Sequence, residues 1–332
     1  MVSDSQAVAG HGMIRAGASV TVRQPVMPDT RRRLQLVLAA IWLLDGVLQY
    51  QSFMFSRGFN QMLASVAPGN PAVIADPITW AAKIVAQHPA PTNAAFATIQ
   101  VLIGLGIACR RTIRPALAAS IAWAVAVWWF GEGLGGILNG GASPVNGAPG
   151  AVIIYALLAV LLWPVVNGDG SRQPPFVAAR PVGAMVAKVL WLVLWGSLAY
   201  FAVTPANRTA QGLHDMVAGM ASGEPSWLSA INRGAADVLA RHGLAASIVL
   251  AVLLALVAVG VFLPVPLSRT AVLLAILISL LIWVVGQDLG TILAGGATDP
   301  NSGLLLALLA AAYWPASAAV RQTPDPAEVQ TS

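Results

Sequence analysis

Residues 128–144 read WWFGEGLGGILNGGASP, and residues 283–300 read WVVGQDLGTILAGGATDP. They are one motif written twice. Each is followed by a turn and an apolar stretch ending in Trp-Pro, at Trp163–Pro164 and Trp314–Pro315. Upstream, AAKIVAQHP with His88 matches AADVLARHG with His242. A Gly-Asn-Pro triplet at Gly69–Pro71 likewise matches Gly-Glu-Pro at Gly223–Pro225. Partners lie about 150 to 155 residues apart throughout, in the same order. That pattern predicts a tandem duplication, and the content of one copy fixes the content of the other.

That content is apolar. Of the 332 residues, 57% are hydrophobic and 9% are charged, against roughly a quarter charged in a soluble domain. The apolar residues fall in blocks near the ~20 residues that a helix needs to cross a bilayer core. We place these blocks at 34–56, 93–110, 115–138, 150–166, 184–203, 245–264, 270–293 and 302–318. The expected fold is therefore all-α: a polytopic membrane protein with eight transmembrane helices arranged as two parallel-repeat four-helix bundles. An even number of spans per copy makes both copies enter the membrane in the same direction, related by an axis along the membrane normal. The expected layout is a disordered tail over 1–30, a first repeat over 31–166, a cytoplasmic linker over 167–183, a second repeat over 184–319 and a tail over 320–332. The first helix follows some thirty mostly polar residues without a small-residue cleavage pattern, so it reads as retained, not as a signal peptide.

The net charge of +5 is not a nucleic-acid footprint here. Thirteen of the eighteen Lys and Arg fall on one face: Arg15, Arg23 and Arg31 to Arg33; Arg110, Arg111 and Arg114; Arg172, Arg180 and Lys188; Arg269 and Arg321. Arg57, Lys83, Arg208, Arg233 and Arg241 fall on the other, in two long loops where the charge rule is weakest. The asymmetry predicts cytoplasmic termini in a bacterial plasma membrane, with the lipid bilayer as the first partner and no nucleic acid. The long loops, 57–92 and 204–244, carry apolar residues at helical spacing, which predicts short surface helices capping the bundle.

Ionisable groups at membrane depth are costly, so each is a candidate site. Asp45 lies eleven residues into the first helix, near mid-membrane at 1.5 Å per residue. Gln49 is one turn further on the same face, and Gln100 is a third polar group at depth. Together they read as a polar pocket around a protonatable carboxylate, or as a structural hydrogen bond locking helices together. The second copy has Trp195 in place of Asp45, which argues against a pore lined by both copies. Glu132 aligns with Gln287, and Asp288 with Gly133; these read either as a site near the outer boundary or as solvated helix ends. Glycines four apart in the same motif (Gly131 and Gly135, Gly136 and Gly140, Gly286 and Gly290) predict close helix packing.

The remaining features are quieter. Cys109 is the sole cysteine and reads as a small apolar filler. His88, His242 and His214 lack the spacing of a metal site, and none is expected. Trp42, Trp80, Trp163, Trp227 and Trp314, near helix ends, suggest an interfacial belt. No phosphate loop, nucleophile elbow or dinucleotide fingerprint is present, so the chain is not expected to be an enzyme on its own.

Arg33 leading into an apolar helix with the polar-Gly pair Asp45–Gly46, then a long outer segment, then a helix ending IGLGIACRR at Arg110 and Arg111, resembles the DoxX-like membrane proteins. The resemblance implies an accessory role in a membrane redox system, beside a membrane or peripheral oxidoreductase subunit, with a quinone as the candidate cofactor. Two alternatives from the residues stand beside it: a proton-coupled carrier or channel using Asp45, and a structural subunit of a membrane complex.

Overall fold

The computed structural model describes residues 29–165 and 174–316. The expected tails, apart from residues 29 and 30, and the start of the 167–183 linker lie outside the described residues. Among those described there are helices and no strand.

Twelve α-helices form: α1 Thr30–Leu48, α2 Arg57–Ser65, α3 Ala72–Gln87, α4 Pro89–Ala108, α5 Ile113–Phe130, α6 Ala151–Leu161, α7 Ala179–Val182, α8 Ala184–Ala202, α9 Ala210–Met220, α10 Ser226–Gly260, α11 Val265–Val285 and α12 Asn301–Ala312. Five of them, α4, α5, α8, α10 and α11, are long and apolar enough to cross a membrane. The 11- and 12-residue α6 and α12 reach only about 17 Å at 1.5 Å per residue.

Each half packs alike. α1 lies along α4 and α5 along α6; α8 lies along α10 and α11 along α12, and α12 also packs on α6 and α1 to join the halves. The α1–α4 seam is close because two glycines face it. A Cβ on Gly104 would lie 3.0 Å from the Ala39 carbonyl, and one on Gly46 would lie 2.5 Å from Val101 Cγ2. At the arginine-rich end, Arg32 donates to the Ile107 carbonyl at 2.9 Å and to that of Ala108, so it caps α4. The described part of the linker is held there too, with Phe176 stacked 5.0 Å from Tyr313 and the Ala178 amide on the Ala312 carbonyl at 2.9 Å.

The glycine motif corrects the sequence reading. α5 stops at Phe130 and α11 at Val285, so the helical stretches expected to reach 138 and 293 end early. Gly133, Leu134 and Gly135 have φ of 54°, 56° and 63°; Asp288, Leu289 and Gly290 have 48°, 55° and 77°. Runs of left-handed backbone are open to glycine and cost other residues. Gly290 also lacks room, since a Cβ would sit 2.6 Å from the Pro300 carbonyl carbon. These glycines turn the chain; they are not a helix-packing stripe.

The surface helices form as expected, with one difference between the halves. His88 closes α3 with φ −134°, and His242 has a near-identical φ of −132° inside a continuous α10. After His88 comes Pro89, which has no N–H to continue the ladder. After His242 comes Gly243, which keeps its N–H, so the helix bends and runs on.

Candidate functional site

The amino-terminal half is hollow at the end away from the arginines. A cavity of about 380 Å³ lies under α2 and α3, walled by α1, α4 and α5. Trp42, Phe59, Phe96, Trp123 and Phe130 make its lining aromatic, and Met62 and Trp80 mark its mouth, being 39% and 60% exposed.

The geometry follows from the helices. Asp45, on the inward face of α1, is 1% exposed. Tyr155 of α6 donates its hydroxyl to Asp45 Oδ2 at 2.6 Å, while Asp45 Oδ1 has no partner. The Tyr155 ring packs 4.4 Å from that of Trp42, whose Nε1 donates to Ser120 Oγ at 3.1 Å. Gln49 follows one turn after Asp45, and its backbone carbonyl accepts from Asn93 Nδ2 at 2.5 Å. Gln100 comes in from α4, so Asp45, Gln49 and Gln100 do line one cavity.

Glu132 belongs to it too, and it is not a solvated helix end. Half-buried in the turn after α5, it places Oε1 3.0 Å from the Ala151 amide and 3.3 Å from that of Val152. Those amides are orphan donors at the start of α6, where a carboxylate is favourable. Gln287 does the same for α12, accepting from the Gly303 amide at 2.9 Å and donating to Ser302 Oγ at 2.9 Å. Gln287 and Asp288 are both fully buried in the other half, outside the cavity.

Two contributors escaped the sequence reading. Tyr155 sits in an unbroken apolar run, where nothing local marks it as a partner for a residue 110 positions away. Asp299 reaches the cavity from the other half, through a loop crossing between them. Its Oδ1 accepts from the Asn301 amide at 2.7 Å and its Oδ2 from Thr298 Oγ1 at 2.9 Å. The extra Asp in GGATDP, absent from GGASP, was the available signal. The crossing is matched from the other side: Gln51 Nε2 donates to the Ala297 carbonyl at 3.1 Å, and Asn207 Nδ2 to the Ala142 carbonyl at 2.9 Å.

Other candidates resolve simply. Trp42 is buried in this core, not in an interfacial belt, whereas Trp80, Trp227 and Trp314 are exposed. Cys109 is exposed at the end of α4, not an interior filler. His214 pairs with Asp215 at 2.9 Å, and among the described residues no three His, Cys, Asp or Glu converge as metal ligands.

Chemically, the lining is an apolar box with a few polar groups, to which the amides of Gln49 and Gln100 bring donors as well as acceptors. Asp45 Oδ1, Gln49 Oε1, Gln100 Oε1 and Glu132 Oε2 are buried without a partner, as is one donor, Trp123 Nε1. No family model, no curated protein and no solved structure matches the chain.

Proposed function

We propose that this chain is a multi-pass membrane protein of DoxX-like organisation that holds the headgroup of a quinol-type lipid in its amino-terminal half. It serves there as an accessory component beside an oxidoreductase. On this reading the two halves are parallel four-helix repeats, the termini face the cytoplasm of a bacterial cell, and the cavity opens toward the outer leaflet. Matched geometry supports the repeat: Trp128 Nε1 donates to the Pro149 carbonyl and Trp283 Nε1 to the Pro300 carbonyl, both at 2.7 Å. Irregular backbone is tolerated at membrane depth where protein surrounds it, so 131–150 with α6, and 286–300 with α12, each serve as one crossing.

The observation that carries the functional reading is the cavity beside Asp45. Its volume suits a small headgroup, and its unpartnered polar groups suit a ligand that makes hydrogen bonds. A quinol brings two hydroxyls, which the carboxylate and amide oxygens can accept from and the amide nitrogens donate to. A carrier would need a route from Asp45 to the arginine end. Leu38, Leu117 and Leu158 of the same core are each 0% exposed, which favours a binding site over a carrier.

Three tryptophans in the lining supply the assay. In nanodiscs, a short-chain quinol should quench Trp fluorescence saturably. Ala126→Phe, which fills the cavity from α5, should abolish saturation. Quenching that rises linearly and identically in both proteins would be partition into lipid, and the proposal would fall.

A further inference from the structure

The carboxy-terminal half holds a second polar cluster, separate from the cavity. Asp288 and Asn232 are 0% exposed, and neither side chain has a hydrogen-bond partner on any polar atom. Both carboxylate oxygens of Glu224 are buried and unpartnered as well. The Ala294 amide approaches Glu224 without reaching bonding geometry. The charge acting on Asp288 is that of Glu224, of the same sign.

The alignment of the halves brings these three together. His88 with His242 sets Asn232 at the place of Ile78 and Glu224 at the place of Asn70, while the glycine motif sets Asp288 at the place of Gly133. In the amino-terminal half, a Cβ on Gly133 would lie 3.1 Å from the Val66 carbonyl, 3.3 Å from Asn70 Nδ2 and 3.4 Å from Ile78 Cδ1. The Asp288 side chain starts where that Cβ would be. It is therefore directed at the places of the Met220 carbonyl, Glu224 and Asn232.

Buried carboxylates without partners are strongly unfavourable unless a counter-charge or a proton joins them. We propose that Glu224, Asp288 and Asn232 bind a hard divalent cation of the Ca2+ class. Two carboxylates balance its charge, and they offer four oxygens, to which the Asn232 amide oxygen and backbone carbonyls such as that of Met220 add. Ca2+ takes six to eight oxygen ligands in adaptable geometry, whereas Mg2+ demands near-ideal octahedral placement. A thiophilic or imidazole-seeking metal has no ligand in this set.

The test is equilibrium binding of 45Ca2+ to the chelator-treated full chain in nanodiscs of zwitterionic lipid. Wild type should bind one ion saturably, with Mg2+ competing only in large excess, and Ca2+ should raise the unfolding temperature. Asp288→Gly installs the residue of the other half at a left-handed position, so it should fold; its Ca2+ affinity should fall at least 100-fold. Asn232→Asp, which keeps an oxygen there, should still bind. No saturable binding by wild type would overturn the proposal. So would binding undiminished in both Asp288→Gly and Glu224→Gln. Neither result bears on quinol binding near Asp45, which the fluorescence assay reads separately.

Discussion

The two halves pair their long helices alike, α1 with α4 and α5 with α6, α8 with α10 and α11 with α12, around different centres. Burial puts Leu198, not Trp195, at the place of Asp45. Leu34, Leu38, Ile41, Trp42, Asp45 and Leu48 of α1 and, 153 residues on, Ala187, Trp191, Leu194, Trp195, Leu198 and Phe201 of α8 are all buried. Where the amino-terminal half has Asp45, Tyr155, Gln100 and Trp123, the other half thus carries Leu198, Leu306, Leu254 and Ile278. Those four are buried. One half has a hollow with polar groups in it; the other has buried hydrocarbon at the corresponding positions. The contrast reverses at the turn, where Gly133, Asn70 and Ile78 face Asp288, Glu224 and Asn232. The two halves thus carry their polar groups in different places, and a pore lined symmetrically by both halves is not what this arrangement offers.

That contrast can be broken by exchanging residues between the halves. The largest effect is expected from Leu198→Asp. It strands a carboxylate among hydrocarbon at a position that is 1% exposed, so unfolding in detergent should show a loss of about 4 kcal/mol. Adding Leu306→Tyr should recover part of it, as Tyr155 supports Asp45; no recovery would mean that the two positions are not equivalent.

Gly290→Ala comes next. It puts a Cβ 2.6 Å from the Pro300 carbonyl carbon at φ 77°, and should lower stability by about 3 kcal/mol. Gly140→Ala, with a similar φ of 78° but open space around it, should cost only about 1 kcal/mol. Equal losses would show that backbone conformation, not contact, sets the requirement.

Tyr155→Phe should cost about 1–3 kcal/mol by leaving buried Asp45 without its donor. It should also alter quinol affinity, whereas Leu306→Phe in the other half should leave that affinity unchanged. The smallest effect belongs to Glu132→Gln. Gln287 already performs this capping role as an amide, so thermal unfolding should move by less than about 0.5 kcal/mol, even if ligand affinity drops. A large loss of stability would show that the charge, not the acceptor, holds α6.

Much of this was legible in the chain. Block lengths and low charge located the apolar helices, and the paired motifs aligned Glu132 with Gln287, which make corresponding bonds to the start of the next helix. The fate of the glycines was not legible, because small residues four apart serve a packing stripe and a left-handed turn equally well until Pro149 and Pro300 are seen against them. Nor was Trp42 distinguishable from a belt residue, because helix-end position does not say which way a ring faces.

By itself the sequence determined the all-helical, apolar character of the chain, since composition and block length are local properties. Only the tertiary structure decided that Asp45 meets Tyr155, that Asp299 crosses into the other half's cavity, and that Asp288 shares a buried place with Glu224. Those meetings depend on contacts between residues far apart in the chain, which three-dimensional packing sets and no local pattern encodes.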